Sequence, residues 1–559
     1  MFESHCDTIL SSKDHAALLT SLRVIRTLLS KEAEVEAELD RVCANKALVR
    51  RLCDLIGAGS TSTIKYEAAW AVTNITSGAS KHCRVAMEQG ALTRFMDGLS
   101  DASDPTLVEQ CIWGLGNIAG DSVAQRDACL RAGALGAIMS LLPHHNAAAA
   151  RTFSGELMRN AVWTLSNMAR GKPQPDFDGD QRELMACLSR LLADASGSAQ
   201  GQTWACTPPG GSLPVVTDAA WGLSYLTDGR DDRLEAICAI TAPSGACPGV
   251  IRQLVDQLHS NDAGLVTASL RTVGNIVTGS ARHVKAVVQA GFLDKVVTLM
   301  GHSKRVIRKE ACWALSNITA DTDAHKQLVI AVPGCPRMLL ARVQDSIEVA
   351  KEAAWVLSNL FNQSKASVVC SAVAGGYLGV LLACTARLTP EDERGATVCK
   401  EGVDTVVESC QAHPMVFDAV RSQVLGCDAY PALLECGGET AEALVEALQD
   451  TCGDQLRRLM TGKSTLDSAV ATLKAVLDGT APPVAFGAGS GAQASAKGKT
   501  DPAGDASTSN KGASVPARRS NGGTPADATA AVAATLSSTQ SQPPASAEPT
   551  PDNKFNFHF

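Results

Sequence analysis

Apolar residues along this chain recur at helical spacing inside one phrase that is written seven times. The copies are EAAWAVTNITSG from Glu67, QCIWGLGNIAGD from Gln110, NAVWTLSNMARG from Asn160, DAAWGLSYLTDG from Asp218, ASLRTVGNIVTG from Ala268, EACWALSNITAD from Glu310 and EAAWVLSNLFNQ from Glu352. Steps of 43, 50, 58, 50, 42 and 42 residues separate them, a period of about 42 with insertions in the middle. His144 to Ala150 and the Gly, Ser and Pro-rich stretch from Ser196 to Pro214 read as those insertions.

Each phrase predicts a helix ended by a breaker, with Gly78, Gly171, Gly229 and Gly279 placed where a C-terminal glycine belongs. Upstream of several copies runs a second apolar helix opened by a turn, as at Gly90 to Leu99 and Gly291 to Met300. Two or three helices per unit follow. No unit can bury its apolar face alone, so neighbours must stack into a continuous superhelix. Ser21 to Glu32 reads as part of a divergent first unit, and Gly402 to Glu408 with Leu433 to Leu448 as two more. The expected organisation is a short segment over 1–14, a repeat domain of about ten units over 15–479, and a disordered low-complexity tail over 480–559.

Composition supports an array of closely packed helices: aromatics are 4% while AVILMFWYC reach 45%, so Ala, Leu and Val supply most of the apolar surface. A net charge of −8 argues against direct binding of nucleic-acid phosphate and is compatible with basic protein partners. The 19 cysteines contain no CxxC pair and read as small core residues, not as a disulfide framework. No run approaches the ~18 uninterrupted apolar residues of a membrane span. Phosphate-loop, HExxH and nucleophile-elbow motifs are missing, and His144-His145 reads as surface loop, so neither an enzyme nor a cofactor is expected.

The chemistry lies in the phrase itself. Tryptophan and asparagine four residues apart share one helical face, at Trp70 with Asn74, Trp113 with Asn117, Trp163 with Asn167, Trp313 with Asn317 and Trp355 with Asn359. Tryptophan alone survives at Trp221, opposite Tyr225, and asparagine alone at Asn275, opposite Arg271; Trp204 is out of register. One such pair would ordinarily be core, but stacking turns the set into a ladder. Helices about 8 to 10 Å apart match the roughly 6.6 Å spanned by two residues of an extended peptide. Each carboxamide offers a donor and an acceptor to a peptide backbone, and indole faces attract cationic heads by roughly 0.5 to 2 kcal/mol. Three positions before the tryptophans stand Glu67, Gln110, Asn160, Asp218, Glu310 and Glu352, acidic or neutral and never basic, which favours a basic ligand. The interruption at Tyr225 and Arg271 predicts two binding stretches, which a ligand with two basic clusters fills together.

At Asn160 to Lys172, Gly116 to Asp121, Ala220 to Gly229, Val273 to Gly279 and Lys309 to Asn317 the chain resembles the importin-α (karyopherin-α) family, in order and in register over roughly residues 15 to 455. The resemblance implies an all-α, armadillo-repeat, right-handed superhelical solenoid. It also implies a nuclear import adaptor that shuttles between cytoplasm and nucleus and holds localisation signals of cargo proteins, without membrane or nucleic-acid contact. It places a major site at Trp70, Asn74, Gly78, Gln110, Trp113, Asn117, Asp121, Trp163, Asn167, Asp218 and Trp221, with Asp121 pairing the key lysine. A minor site falls on Arg271, Asn275, Glu310, Trp313, Asn317, Glu352, Trp355 and Asn359.

Three departures stand out. Nothing before Ser21 holds an arginine or lysine cluster like the family's importin-β-binding segment. Either that segment is missing from the gene model, or the protein works without importin-β and its groove is permanently open. Cys83 stands where the family has a threonine that helps hold the key lysine, and Ala281 where the minor site has an acidic residue. The last repeat and Phe555 to Phe559 resemble the region where the export receptor binds. The competing readings are a catenin-like scaffold, whose groove would be basic, and a paralogue that binds basic peptides without transporting them.

Overall fold

The computed structural model describes residues 2–30, 35–57, 59–100, 104–142, 155–195, 212–229, 231–240, 249–460 and 465–480. It divides into Met1–Phe486 and Gly487–Phe559, the second lying wholly outside the described residues. The insertion beginning at His144, most of the one from Ser196, Trp204 and nearly all of the tail also lie outside them.

Every regular element among the described residues is a helix. The seven phrases form the helices Ser62–Thr76, Pro105–Asp121, Gly155–Ala169, Ser212–Leu226, Ala263–Ile276, Arg305–Thr319 and Ile347–Phe361. The insertion read as a loop through Pro214 is shorter than that, because the helix already begins at Ser212 and holds Pro214 in its first turn, where a missing N–H costs nothing. His15–Leu28 precedes this series and Glu393–Ala412 and Glu439–Met460 continue it. Each of these ten helices packs on the next, making one uninterrupted row. Phe2–Ser11 joins the packed array directly, with Cys6 and Ile9 buried against its neighbours.

Local chemistry starts these helices where they begin. Thr61, Asp104 and Asp262 cap them, each side-chain oxygen accepting from the backbone N–H three residues on. Between the shorter outer helices of each unit the chain turns through Gly90, Gly133, Gly291, Gly334 and Gly376, whose φ values of 75 to 97° only glycine adopts readily. Gly171 and Gly229 also take positive φ, as helix-ending glycines do. Gly78 and Gly279 do not, and the reading of them as left-handed caps is corrected. There a β-carbon would lie 2.6 Å from Nδ1 of His82, or 2.3 Å from Nδ1 of His283, so glycine makes room for a buried imidazole one turn on.

After the Trp163 helix the chain runs irregularly to Asp178, and two buried arginines fix that stretch. Arg126 donates to the carbonyls of Arg170 at 2.8 Å and Pro173 at 2.9 Å, and Arg233 donates to that of Pro175. Buried guanidinium groups are tolerated when their donors are satisfied in this way. At the other end, Leu466–Leu477 lies across Cys335–Val343, Tyr377–Leu388 and Ala429–Cys436, covering the end of the apolar row as a terminal cap must. The sixteen cysteines whose side chains are described are free, and most are buried in the core.

Close approach within the row depends on a small residue three positions after the tryptophan position, whether tryptophan (Trp113, Gly116) or arginine (Arg271, Gly274) fills it. A β-carbon on Gly116 would stand 2.3 Å from Cζ3 of Trp163, and one on Gly274 2.2 Å from Cζ3 of Trp313. Glycine-to-alanine changes inside helices ordinarily stabilise by about 0.5 to 1 kcal/mol. Gly274→Ala should do the opposite, because overpacking costs about 1 to 3 kcal/mol, while Gly136→Ala, facing open space on a helix, should follow the ordinary rule. Urea midpoints of the two variants that move in the same direction would refute this packing account.

Candidate functional site

All six in-register tryptophans, at 70, 113, 163, 221, 313 and 355, are half-buried: one part of each indole packs on the row and the rest stays open. Five of the seven ladder side chains at the asparagine position reach the preceding helix. Asn117 Nδ2 donates to the Thr73 carbonyl at 3.1 Å, Asn167 to Gly116 at 3.2 Å, Asn275 to Ser224 at 2.9 Å and Asn359 to Ser316 at 3.0 Å. Asn74 donates to Ser30 Oγ at 3.0 Å and to the Arg26 carbonyl at 3.4 Å. The acceptor is a carbonyl in the last turns of a helix; at Thr73 and Ser316 it already takes a backbone N–H from four residues on, and the asparagine uses its second lone pair. One amide hydrogen is therefore committed inside the protein, which narrows the sequence-based expectation of a fully free carboxamide. Asn167 and Asn275 are in addition buried, and Asn317 Nδ2 is buried with no partner.

The residues three before the tryptophans correct a second expectation, that of a lining row of exposed acids. Glu67, Gln110, Asn160 and Glu310 are buried at 4 to 7% exposure, and only Asp218 and Glu352 remain half-buried. Glu67 accepts from Arg23 Nε at 2.9 Å and Arg26 Nε at 2.7 Å. Glu310 accepts from Arg271 Nη2 at 2.6 Å, and burial raises its carboxyl against the pull of Arg271. Asp218 and Glu352 form no salt bridge among the described residues. Burial pushes each carboxyl up to about 7, opposed at Asp218 by Arg159 and at Glu352 by Lys309.

Arg26 is a ladder residue that motif reading missed. Its guanidinium carbon lies 4.0 Å from the Trp70 ring centroid while its Nε holds Glu67. Arg271 repeats this, 5.5 Å from the Trp313 centroid and bonded to Glu310. The signal was present: Ser30 precedes Asn74 by 44 residues, one ladder step, so Arg26 occupies the tryptophan register of the first unit. Tyr225 stacks on Trp221 with centroids 6.0 Å apart and closes the first run of indoles.

The remaining assigned positions are less uniform. Asp121 is half-buried at the end of its helix and accepts from Gln125 Nε2 at 3.2 Å. Cys83 is fully buried, and burial lifts its thiol to about 12, with Asp121 adding to the rise. Ala281 is exposed at the first position of its helix, and Gly78 serves the His82 ring.

Residues 280–320 match the armadillo/beta-catenin-like repeat. The chain is 35% identical over 303 residues to importin subunit alpha-1b of Oryza sativa subsp. japonica, covering 54% of this chain and 50% of that protein. It is 34% identical over 279 residues to probable importin subunit alpha-A of Dictyostelium discoideum, covering 48% and 46%. The matched part thus spans about half the length of these relatives. A crystal structure of an engineered protein shares the fold with a TM-score of 0.61 at 20% identity, over 85% of this chain and 98% of that one. With its all-helical ladder and its similarities pointing the same way, the chain is an all-α armadillo-repeat solenoid that is similar, over about half its length, to importin-α subunits.

Proposed function

We propose that the ladder face binds an extended, lysine- and arginine-rich segment of another protein, and that the chain serves as an adaptor carrying such proteins into the nucleus. One observation carries the reading. Asp218 and Glu352 are half-buried carboxylates that form no salt bridge among the described residues, and each is on a helix whose half-open indole follows that of the helix before it in the row, Trp163 with Trp221 and Trp313 with Trp355. An unpaired buried carboxylate is costly, and a cation that arrives between two aromatic faces relieves that cost while its aliphatic stem covers the rings. Similarity to importin-α subunits over about half the chain makes a nuclear localisation signal the natural form of that ligand. Importin-β and an export receptor are then the partners of the transport cycle, with the protein shuttling between cytoplasm and nucleus.

Two stretches are implied. Trp70 to Trp221 forms the longer and Trp313 to Trp355 the shorter, so a ligand with two basic clusters gains by occupying both. The acidic bias of the open positions separates this reading from a scaffold for acidic peptides, whose groove would carry lysine or arginine there.

Two measurements test the reading. In a fluorescence-anisotropy titration of the full chain with a single-cluster lysine and arginine peptide, Asp121→Lys should abolish binding, since it sets like charge against the ligand; unchanged affinity would remove Asp121 from the site. The second concerns pH. A carboxyl held near 7 is largely neutral at pH 6 and ionised at pH 8, and only the ionised form pairs with a cation. Affinity should therefore rise by up to about tenfold per carboxylate between these values, with proton release on binding. The sign reverses for folding: these carboxyls lie above their unfolded values, so the ligand-free protein loses stability as pH rises through about 7. Affinity for the peptide that is flat with pH, or that keeps the same slope in Asp218→Asn and Glu352→Gln, would contradict the assignment.

A further inference from the structure

We propose that Arg26 and Arg271 are register stops, built-in guanidinium groups that fill the first cation slot of each indole run and so fix where along the ladder a basic peptide can dock. The inference rests on the peptide-binding reading and adds to it which slots are closed.

The argument comes from one arrangement that occurs twice. In the row of packed helices each tryptophan has the acid or amide position three residues before it and the previous helix's ladder residue beside it. Where that previous residue is tryptophan, the acid forms no salt bridge among the described residues: Asp218 follows Trp163, and Glu352 follows Trp313. Where the previous residue is arginine, the acid is taken: Arg26 holds Glu67 beside Trp70, and Arg271 holds Glu310 beside Trp313. A single rule, the identity of the residue one ladder step earlier, therefore sorts all four acids into open and closed.

Both arginines bring to these slots what a ligand side chain would bring. Each sets a guanidinium against an indole and bonds to a carboxylate that is itself nearly enclosed, with Glu67 5% and Glu310 4% exposed. An incoming lysine or arginine would have to displace a partner already paired and already held by the fold, and so gains nothing at that rung. The arginines remain partly open, Arg26 at 20% and Arg271 at 34% of their side-chain surface, so they lie at the ladder face and not beneath it. Arg23, 54% exposed, adds a second cation to Glu67 and strengthens the first stop. Cations of a ligand are then confined to the steps from Trp70 to Trp221 and from Trp313 to Trp355. The gap between the two runs is closed by Arg271 in the same way that the beginning of the ladder is closed by Arg26.

The test compares two all-lysine/arginine peptides on the full chain by anisotropy: a short one matched to the first run, and one longer by about two residues, enough to reach a further ladder step. In the wild-type protein the longer peptide should bind little better than the short one. Arg26→Gln should raise the ratio of long-peptide to short-peptide affinity about tenfold, the scale of one cation–indole contact with its ion pair. Adding Glu67→Gln should remove that gain. Affinity for both peptides rising equally in Arg26→Gln would reveal only the loss of a positive charge from the surface and would overturn the stop, as would an unchanged ratio. Arg271→Gln, read with a peptide carrying two clusters whose spacer is shortened by one ladder step, gives an independent answer should Arg26→Gln lose its helical circular dichroism. Failure of the wild-type chain to bind either peptide would instead sink the peptide-binding reading itself.

Discussion

The bond from a ladder asparagine to a carbonyl in the helix before it is the constraint on which the face depends. A backbone carbonyl has two lone pairs, and the helix ladder uses only one of them, so each helix of the row offers the next a second acceptor position. Asn117, Asn167, Asn275 and Asn359 satisfy one each, and in doing so tie the spacing of the row to the reach of one carboxamide. A small residue at the acceptor position or beside it then allows the next indole to close down, as Gly116 does under Trp163 and Gly274 under Trp313. Spacing of the indoles, and with it the spacing of anything they bind, follows from these two features.

Sequence periodicity made the architecture legible because a repeat is a stronger signal than any local propensity. The phrase helices, the glycine turns at Gly90 and Gly291 and the continuation beyond Glu393 all fall where the 42-residue period places them. Electrostatics were less legible. From spacing, Glu67 and Glu352 look equivalent, since both stand three residues before a tryptophan. Packing separates them, because Glu67 is paired by a helix 41 residues earlier that carries no tryptophan phrase and so drew no attention. The asparagines were read for the hydrogen bonds that they offer to a ligand, and pattern alone could not show that a neighbouring helix takes one of them first. At Gly78 and Gly279 the residue type was right for a helix end and the reason was wrong, since the space is used by His82 and His283.

Charge on the ladder face is therefore unevenly spent. An overall excess of acids over bases, 58 against 50, says little about where a cation can go. What matters is which carboxylates the fold leaves without a partner while half withdrawing them from water. Among the described acid positions of the ladder two have no salt bridge, one in each indole run, and both are held near 7, close to the pH at which a small change in environment decides whether they are charged. A cationic side chain supplies that change. Recognition on this face is then a matter of completing pairs that the fold has left incomplete, more than of general attraction to an acidic surface.

The same logic gives meaning to the interruptions. A ladder of identical rungs would hold a basic chain in many sliding registers, each with the same contacts, and would discriminate poorly between ligands. On the proposed reading, replacing tryptophan by arginine at a rung breaks that degeneracy at the level of single contacts: the indole that follows has its cation site filled from within, and the carboxylate that follows is already paired. Tyr225, stacked on Trp221, ends the first run by a different route, covering the last indole with a ring where the other units extend a carboxamide. Register on this face is thus set by the positions at which the repeat fails, and the departures from the phrase carry as much of the specificity as the copies that keep it.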